Sequence, residues 1–433
     1  MVLMKNDNGI LPLKKTAKLA VIGEMAKKPR YQGAGSSLIN PMQLDSAFET
    51  LVQMGVEFQY AQGYSTAKKN KVSDDTFVAE AVEKAKKAET VLMFIGLTDD
   101  FETEGNDRKH LGIPPLHNRL VNEVLKVNKN VVVVLSGGAA VEMPWADEVP
   151  AILNEFLTGQ ACGSAVCDVL FGDVNPSAKL AETYPCALED NSSANYFPGT
   201  PVSVEYRESV YVGYRYYDTV NKAVRFPFGH GLSYTTFEYS DIALSADKVK
   251  DTDTVTVSFK VKNTGAVDGA EVAQLYVSDL ESTIFRPAKE LKGFKKVFLK
   301  AGEEKTVEIT LDKRAFAYYN INIHDWHVES GAFKILVGAS SRDIRLETVV
   351  EVESTVAAEI PDYRVSAPEY YGADIMHVGD ASFTAVLGHE IPPSTRDKSQ
   401  PLTVGNTIED AIDGKWGGRF NRLFAKMLGT DTM

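Results

Sequence analysis

The chain has 433 residues, 44% of them apolar, 24% charged and 9% aromatic, and it carries a net charge of −13. That length exceeds what one hydrophobic core ordinarily organises, so two or three domains are expected. An acidic balance with no Lys/Arg block argues against a nucleic-acid partner, which needs clustered cations, and no run of about 18 apolar residues offers a membrane span.

Taken from the N-terminus, MVLMKNDNGILPLKK has too short an apolar stretch for a secretory leader. LAVIG (19–23), VEFQYA (56–61), TVLMFIG (90–96), VVVVLSG (131–137) and AILNEF (151–156) then read as strands. They are apolar nearly throughout, the mark of strands covered on both faces. Between them, 74–88 is rich in Ala, Val and Lys, and Leu116, Leu120 and Val124 form a helical stripe. This alternation predicts an α/β fold, with a mostly parallel sheet between helical layers. From 173 to 235 the chain becomes irregular and aromatic, through RESVYVGYRYYD and RFPFGHGLSYT, and reads as a long connection packed on the first domain.

Beyond 236 the period changes. Val255, Val257, Phe259 and Val261 alternate with polar residues, as do Ala273, Leu275 and Val277, then Val307, Ile309 and Leu311. With the turn signals NTGAVDG and LKAGEE between them, this predicts a β-sandwich. The polar tail holds one apolar patch, FTAVLG (383–388), and a short helix near 415–428, and it needs another surface to pack on. The expected division is 1–235, 236–350 and 351–433.

The densest chemistry follows TVLMFIG, in GLTDDFETEGNDRKHLGIP, which carries Asp99, Asp100, Glu102, Glu104, Asp107, Arg108, Lys109 and His110. A loop at the carboxyl end of a parallel strand is where α/β sheets place ligands. A Glu among like charges there could have the raised pKa that a general acid needs. By composition alone, a solvated acidic loop is the plainer reading. The loop PRYQGAGSSLINP (29–41), after LAVIG, brings Gly33, Gly35, Ser36 and Ser37, which permit close backbone approach to a ligand. It is no dinucleotide fingerprint, because its glycines sit too far past the strand and the third is missing. A simple Gly-rich turn is again the plainer reading. HDWH (324–327) reads as a surface loop without metal-binding convergence. Cys162, Cys167 and Cys186 form no CxxC pair and read as buried, reduced thiols, which with the leaderless N-terminus points to the cytoplasm.

Several segments occur in a telling order: AVIGEMAKKPRYQGAGSS, FETEGNDR, NPSAKL, FPFGHGLSYT, KNTGAVDGAEVAQLYV, RPAKELKGFKKVFLKAGE and WHVESGAFKILVGASS. Together they resemble glycoside hydrolase family 3, particularly its bacterial β-glucosidases, over about residues 2–341. The resemblance implies a retaining exo-glycosidase built from a (β/α)8 barrel, an α/β sandwich and a fibronectin III-like domain. It places the general acid/base at Glu104, with Glu102 as runner-up because the repeat within ETEG leaves a two-residue ambiguity. Ser36 matches the position from which some members touch the sugar; Gly35, Ser37 and Arg108 are expected beside it as further substrate contacts. No metal or organic cofactor is implied.

The departure from the family is the barrel, which this sequence does not contain. The Asp nucleophile is therefore expected from a separate barrel domain or polypeptide, and the chain alone is expected to be inactive toward its β-linked glucoside or related oligosaccharide. An apolar face should lie exposed where a barrel would dock. The competing expectation is a non-catalytic carbohydrate-binding or assembly module. The absent barrel favours that alternative, and the intact acidic ETEGNDR loop opposes it.

Overall fold

The computed structural model describes residues 1–406 apart from 37, 68, 106, 201 and 398, together with 410, 418, 419 and 423. The helix expected near 415–428 falls largely outside the described residues.

Six strands make the first sheet: β1 (Val2–Asn6), β2 (Leu19–Ile22), β3 (Phe58–Ala61), β4 (Thr90–Gly96), β5 (Val131–Ser136) and β6 (Ala151–Phe156). Their order is β1-β6-β5-β4-β2-β3. All pair in parallel except β1, which lies antiparallel on β6. Every residue of β4 and β5 is buried, as continuous apolar runs between two helical layers require.

Helices α1 (Ala47–Gln53), α2 (Asp74–Ala85), α3 (Pro115–Leu125) and α4 (Cys162–Leu170) cover the sheet, α1 packing with α4 and α2 with α3. Ser46 and Ser73 cap α1 and α2 by accepting from the Glu49 and Thr76 amides. On α3 the buried face is His117, Leu120, Val121, Val124 and Leu125. The expected stripe is thus displaced by one residue at its start, with Leu116 half-buried and His117 inside. The ring of His117 accepts a hydrogen bond from the Gly96 amide, and burial holds its pKa at about 3, so it is a neutral structural group.

One topological feature places the site. The chain leaves β2 toward β3 on one side and comes back as β4 on the other, so strand order reverses between β2 and β4. The loops following these two strands therefore emerge side by side, at the position where open α/β sheets bind ligands.

The connection contributes β7 (Tyr184–Pro185), α5 (Tyr214–Thr219) and β8 (Val224–Phe226). The β-sandwich follows, with β9 (Phe237–Leu244), β10 (Lys248–Lys250), β11 (Val255–Asn263), β12 (Gly269–Asp279), β13 (Glu290–Leu299) and β14 (Glu304–Leu311). It is completed by α6 (Lys313–Phe316), β15 (Tyr318–Asn320), β16 (Asp325–His327), β17 (Gly331–Gly338) and β18 (Ile344–Glu353). One sheet runs β10-β18-β17-β12-β13 and the other β14-β11-β9. The alternating residues of β11, β12 and β14 meet in their shared core. On the opposite face of β12, buried Gln274 donates to Gly229 O and Ala339 O, and Tyr276 donates to Gln274, tying the sandwich to the connection.

A third core joins distant parts of the chain. Tyr211, Tyr216 and Tyr217 of the connection and Phe285 of the sandwich pack with Tyr370, Ile375, Val378 and Phe383 of the tail. The apolar patch of the tail lies on helix α7 (Asp380–Leu387).

Two sequence readings are corrected. Cys186 is exposed, whereas Cys162 and Cys167 are buried on α4. His327 is not on a surface loop: it lies on β16, 3% exposed and edge-on to Tyr318, because alternate residues of the β15–β16 hairpin face the core. His324 sits outside the strand with φ at 53°.

Candidate active site

The loop after β4 is held by one buried cation. Arg30, from the loop after β2, has a side chain only 5% exposed. Its Nη1 donates to Leu97 O at 3.2 Å and to Glu102 Oε2 at 2.5 Å, and its Nη2 donates to Glu102 O at 2.9 Å. Glu102 Oε2 also accepts from the Gly138 amide, at 3.0 Å, in the loop after β5. A planar guanidinium suits this fork, since it serves two carbonyls and a carboxylate at once. Gly138 is needed for close approach: a Cβ there would lie 2.8 Å from Glu102 Oε1. Glu102 is therefore an anchor at the root of the loop, with its charge paired.

Two residues on, Glu104 stands exposed and meets the β2 loop. Its Oε2 accepts from the Ser36 amide at 2.8 Å. The approach depends on Gly35, whose φ is 91° and where a Cβ would stand 2.6 Å from the Glu104 Cβ. The β2 loop is braced for this contact. Gln32 accepts from the Ile39 amide and donates to Ile39 O, and Tyr31 OH donates to the same carbonyl.

The electrostatics run against one expectation. Hydrogen bonds from the Ser36 hydroxyl and amide hold the Glu104 carboxyl below its ordinary value. In an exposed loop, donors that favour the anion outweigh the small desolvation, so the raised pKa is not present in this arrangement.

The site residues named from sequence thus divide. Gly35, Ser36 and Glu104 come together at the switch point, and Ser37 lies outside the described residues. Glu102 joins Arg30 instead. Arg108 donates from Nη1 to Ala140 O at 3.1 Å and lines a separate cavity. Arg30 and Gly138 were missed, although Arg30 lies within the Gly-rich segment already singled out. No sequence signal separates a buried arginine from a surface one.

A doubly covered α/β sheet with a carboxylate loop at its switch point, followed by a β-sandwich, defines a class shared with known sugar hydrolases. Residues 1–234 match the glycosyl hydrolase family 3 C-terminal domain and residues 271–341 a fibronectin type III-like domain, so the chain belongs to glycosyl hydrolase family 3. It is 52% identical over 437 residues to thermostable beta-glucosidase B of Acetivibrio thermocellus, covering 99% of this chain and 57% of that protein. It is 47% identical over 363 residues to an exo-alpha-(1->6)-L-arabinopyranosidase of Bifidobacterium breve, covering 82% of this chain and 47% of that one. Among solved structures, a family 3 beta-glucosidase of Bifidobacterium adolescentis aligns with a TM-score of 0.79 at 42% identity, over 97% of this chain and 55% of its own. The chain thus spans a little over half the length of the first of these relatives. No helix among the described residues is long and apolar enough to cross a membrane.

Proposed function

We propose that this chain supplies the acid/base half of a retaining hydrolase of terminal β-linked sugars, with Glu104 as proton donor and then as general base. The observation that carries the reading is the hydrogen bond from the Ser36 amide to the Glu104 carboxylate at the switch point. It puts a sugar-contact candidate and the acid/base candidate in one crevice. Glu102 is the weaker candidate, since its carboxylate is engaged by Arg30 and the Gly138 amide.

A carboxyl held below its ordinary pKa suits the second half of retaining hydrolysis, where it must activate water. The first half needs the protonated form. Enclosure of the site, and a second carboxylate about 5–5.5 Å away, would both push Glu104 upward. That second carboxylate is assigned to a (β/α)8 barrel, which is not found among the described residues. Leu38, Ile39 and Met42, exposed on the Ser36 loop at 64%, 67% and 104%, support a surface that a further domain covers.

The test is reconstitution. The 433-residue chain should release nothing from an aryl β-glucoside, and addition of a family 3 barrel polypeptide should restore release. Sustained turnover by the purified chain alone would contradict the division of labour.

A further inference from the structure

A second cavity, of about 550 Å³, opens between the loops after β4 and β5 and the aromatic connection. Its volume falls within the roughly 300–1,000 Å³ of small-molecule sites. The walls bring together Arg108, Glu182, Thr183, Glu208 and Arg215. Thr183 and Glu208 are 7% and 6% exposed. Thr183 Oγ1, Glu208 Oε2, and Arg108 Nε and Nη2 are buried atoms with no hydrogen-bond partner among the described residues. Native interiors rarely leave such groups unpaired, and a cluster of them around one cavity calls for an occupant that pairs them.

The chemistry of that occupant can be read from the walls. Two guanidiniums and two carboxyls balance, so an anion would meet Glu182 and Glu208 and a cation would meet Arg108 and Arg215. Arginine only donates, an ionised carboxylate only accepts, and a hydroxyl does both, so the complementary ligand offers donors and acceptors together. Tyr214, stacked on Phe228 at 4.6 Å, adds an aromatic side to the cavity. A small neutral saccharide, polar at its edges and apolar on one face, meets all of these requirements.

We propose that this cavity is an accessory binding site for a neutral mono- or disaccharide, distinct from the crevice of Glu104 and independent of its assigned role. Ala140, which accepts from Arg108, lies two residues beyond the Gly138 that holds Glu102, so the site backs directly onto the acid/base loop.

Calorimetric titration of the whole chain with D-glucose and with cellobiose tests this. Saturable binding is expected with a dissociation constant on the order of 1 mM. Glu104→Gln should leave it unchanged. Glu208→Gln and Thr183→Val should each weaken it about tenfold, the worth of one good hydrogen bond in a dry site. Both substitutions are close in shape and sever no hydrogen bond of the named atoms among the described residues, and unchanged thermal melts should confirm that they fold. The proposal is overturned if neither sugar binds saturably. It is equally overturned if Glu104→Gln abolishes binding while Glu208→Gln and Thr183→Val retain it, because the sugar then sits in the other crevice. Neither result bears on the reconstitution test.

Discussion

Glu102→Ala isolates the anchor beneath the Glu104 loop. The substitution leaves the Arg30 guanidinium in place, 5% exposed, with its contacts to the carbonyls of Leu97 and residue 102 but with only the exposed Asp99, 3.4 Å from its Nε, as a charge partner. Removing one member of a buried ion pair costs about 3–5 kcal/mol. Because the Glu102 side chain is 22% exposed, water recovers part of that, and a loss of about 2–3 kcal/mol is expected. At about 2–4 °C per kcal/mol for a domain of this size, the transition that includes the α/β domain should fall by roughly 5–10 °C. Differential scanning calorimetry at neutral pH reads it. Arg30→Lys should cost nearly as much, since an ammonium cannot serve Leu97 O, Glu102 O and Glu102 Oε2 together. Arg30→Met combined with Glu102→Met should cost less than the more damaging single change, because the only charge it leaves unpaired is the solvated Asp99. A Glu102→Ala protein that melts within about 1 °C of the parent would refute the anchoring role.

Three further outcomes are expected. Gly35→Ala forces a Cβ against Glu104 from a backbone at φ 91°; it should move the Glu104 carboxylate by about an ångström and, on the proposed role, lower reconstituted kcat about 100-fold with little change in melting. An unchanged kcat would remove Gly35 from the positioning argument. Burial pushes the Glu155 carboxyl on β6 up to about 7, even though it accepts from the Ser136 hydroxyl. The native state then keeps a proton that the unfolded chain has released, so stability should fall as pH rises from about 4.5 to 7, by on the order of 3 kcal/mol. Glu155→Gln should flatten that slope in urea titrations, and an unaltered slope would assign the dependence elsewhere. Phe285, 8% exposed and stacked 4.8 Å from Tyr370, holds the tail to the connection; Phe285→Ala should cost about 3–5 kcal/mol and speed proteolytic clipping after the β-sandwich. Undiminished resistance would mean that the tail is held by other contacts.

Legibility in the sequence followed the physics of each element. β2, β4, β5 and β6 stand out because strands covered on both faces must be apolar at every position, and β11 because one covered face imposes alternation. β1 gave no signal: five residues, VLMKN, pair antiparallel with a strand some 150 positions away. The β15–β16 hairpin escaped for a similar reason, since its three-residue strands are too short to display a period. The acidic loop and the Gly-rich loop were both visible, and the resemblance named the residues within them. Their meeting was not visible, because the Ser36–Glu104 hydrogen bond spans 68 positions. The same long-range contact explains why the ionisation of Glu104 runs opposite to expectation: neighbouring carboxylates can be read from sequence, whereas a donor arriving from another loop cannot. Arg30 was hidden because its burial is a product of the fold.

The most direct test of the acid/base assignment compares leaving groups in the chain reconstituted with a barrel polypeptide. For Glu104→Ala, kcat/KM toward an alkyl β-glucoside should fall by about 100-fold or more, whereas a dinitrophenyl β-glucoside, which needs little protonation to depart, should be cleaved nearly as well as by the parent. Equal losses on both substrates, or the selective loss appearing in Glu102→Ala instead, would contradict the assignment.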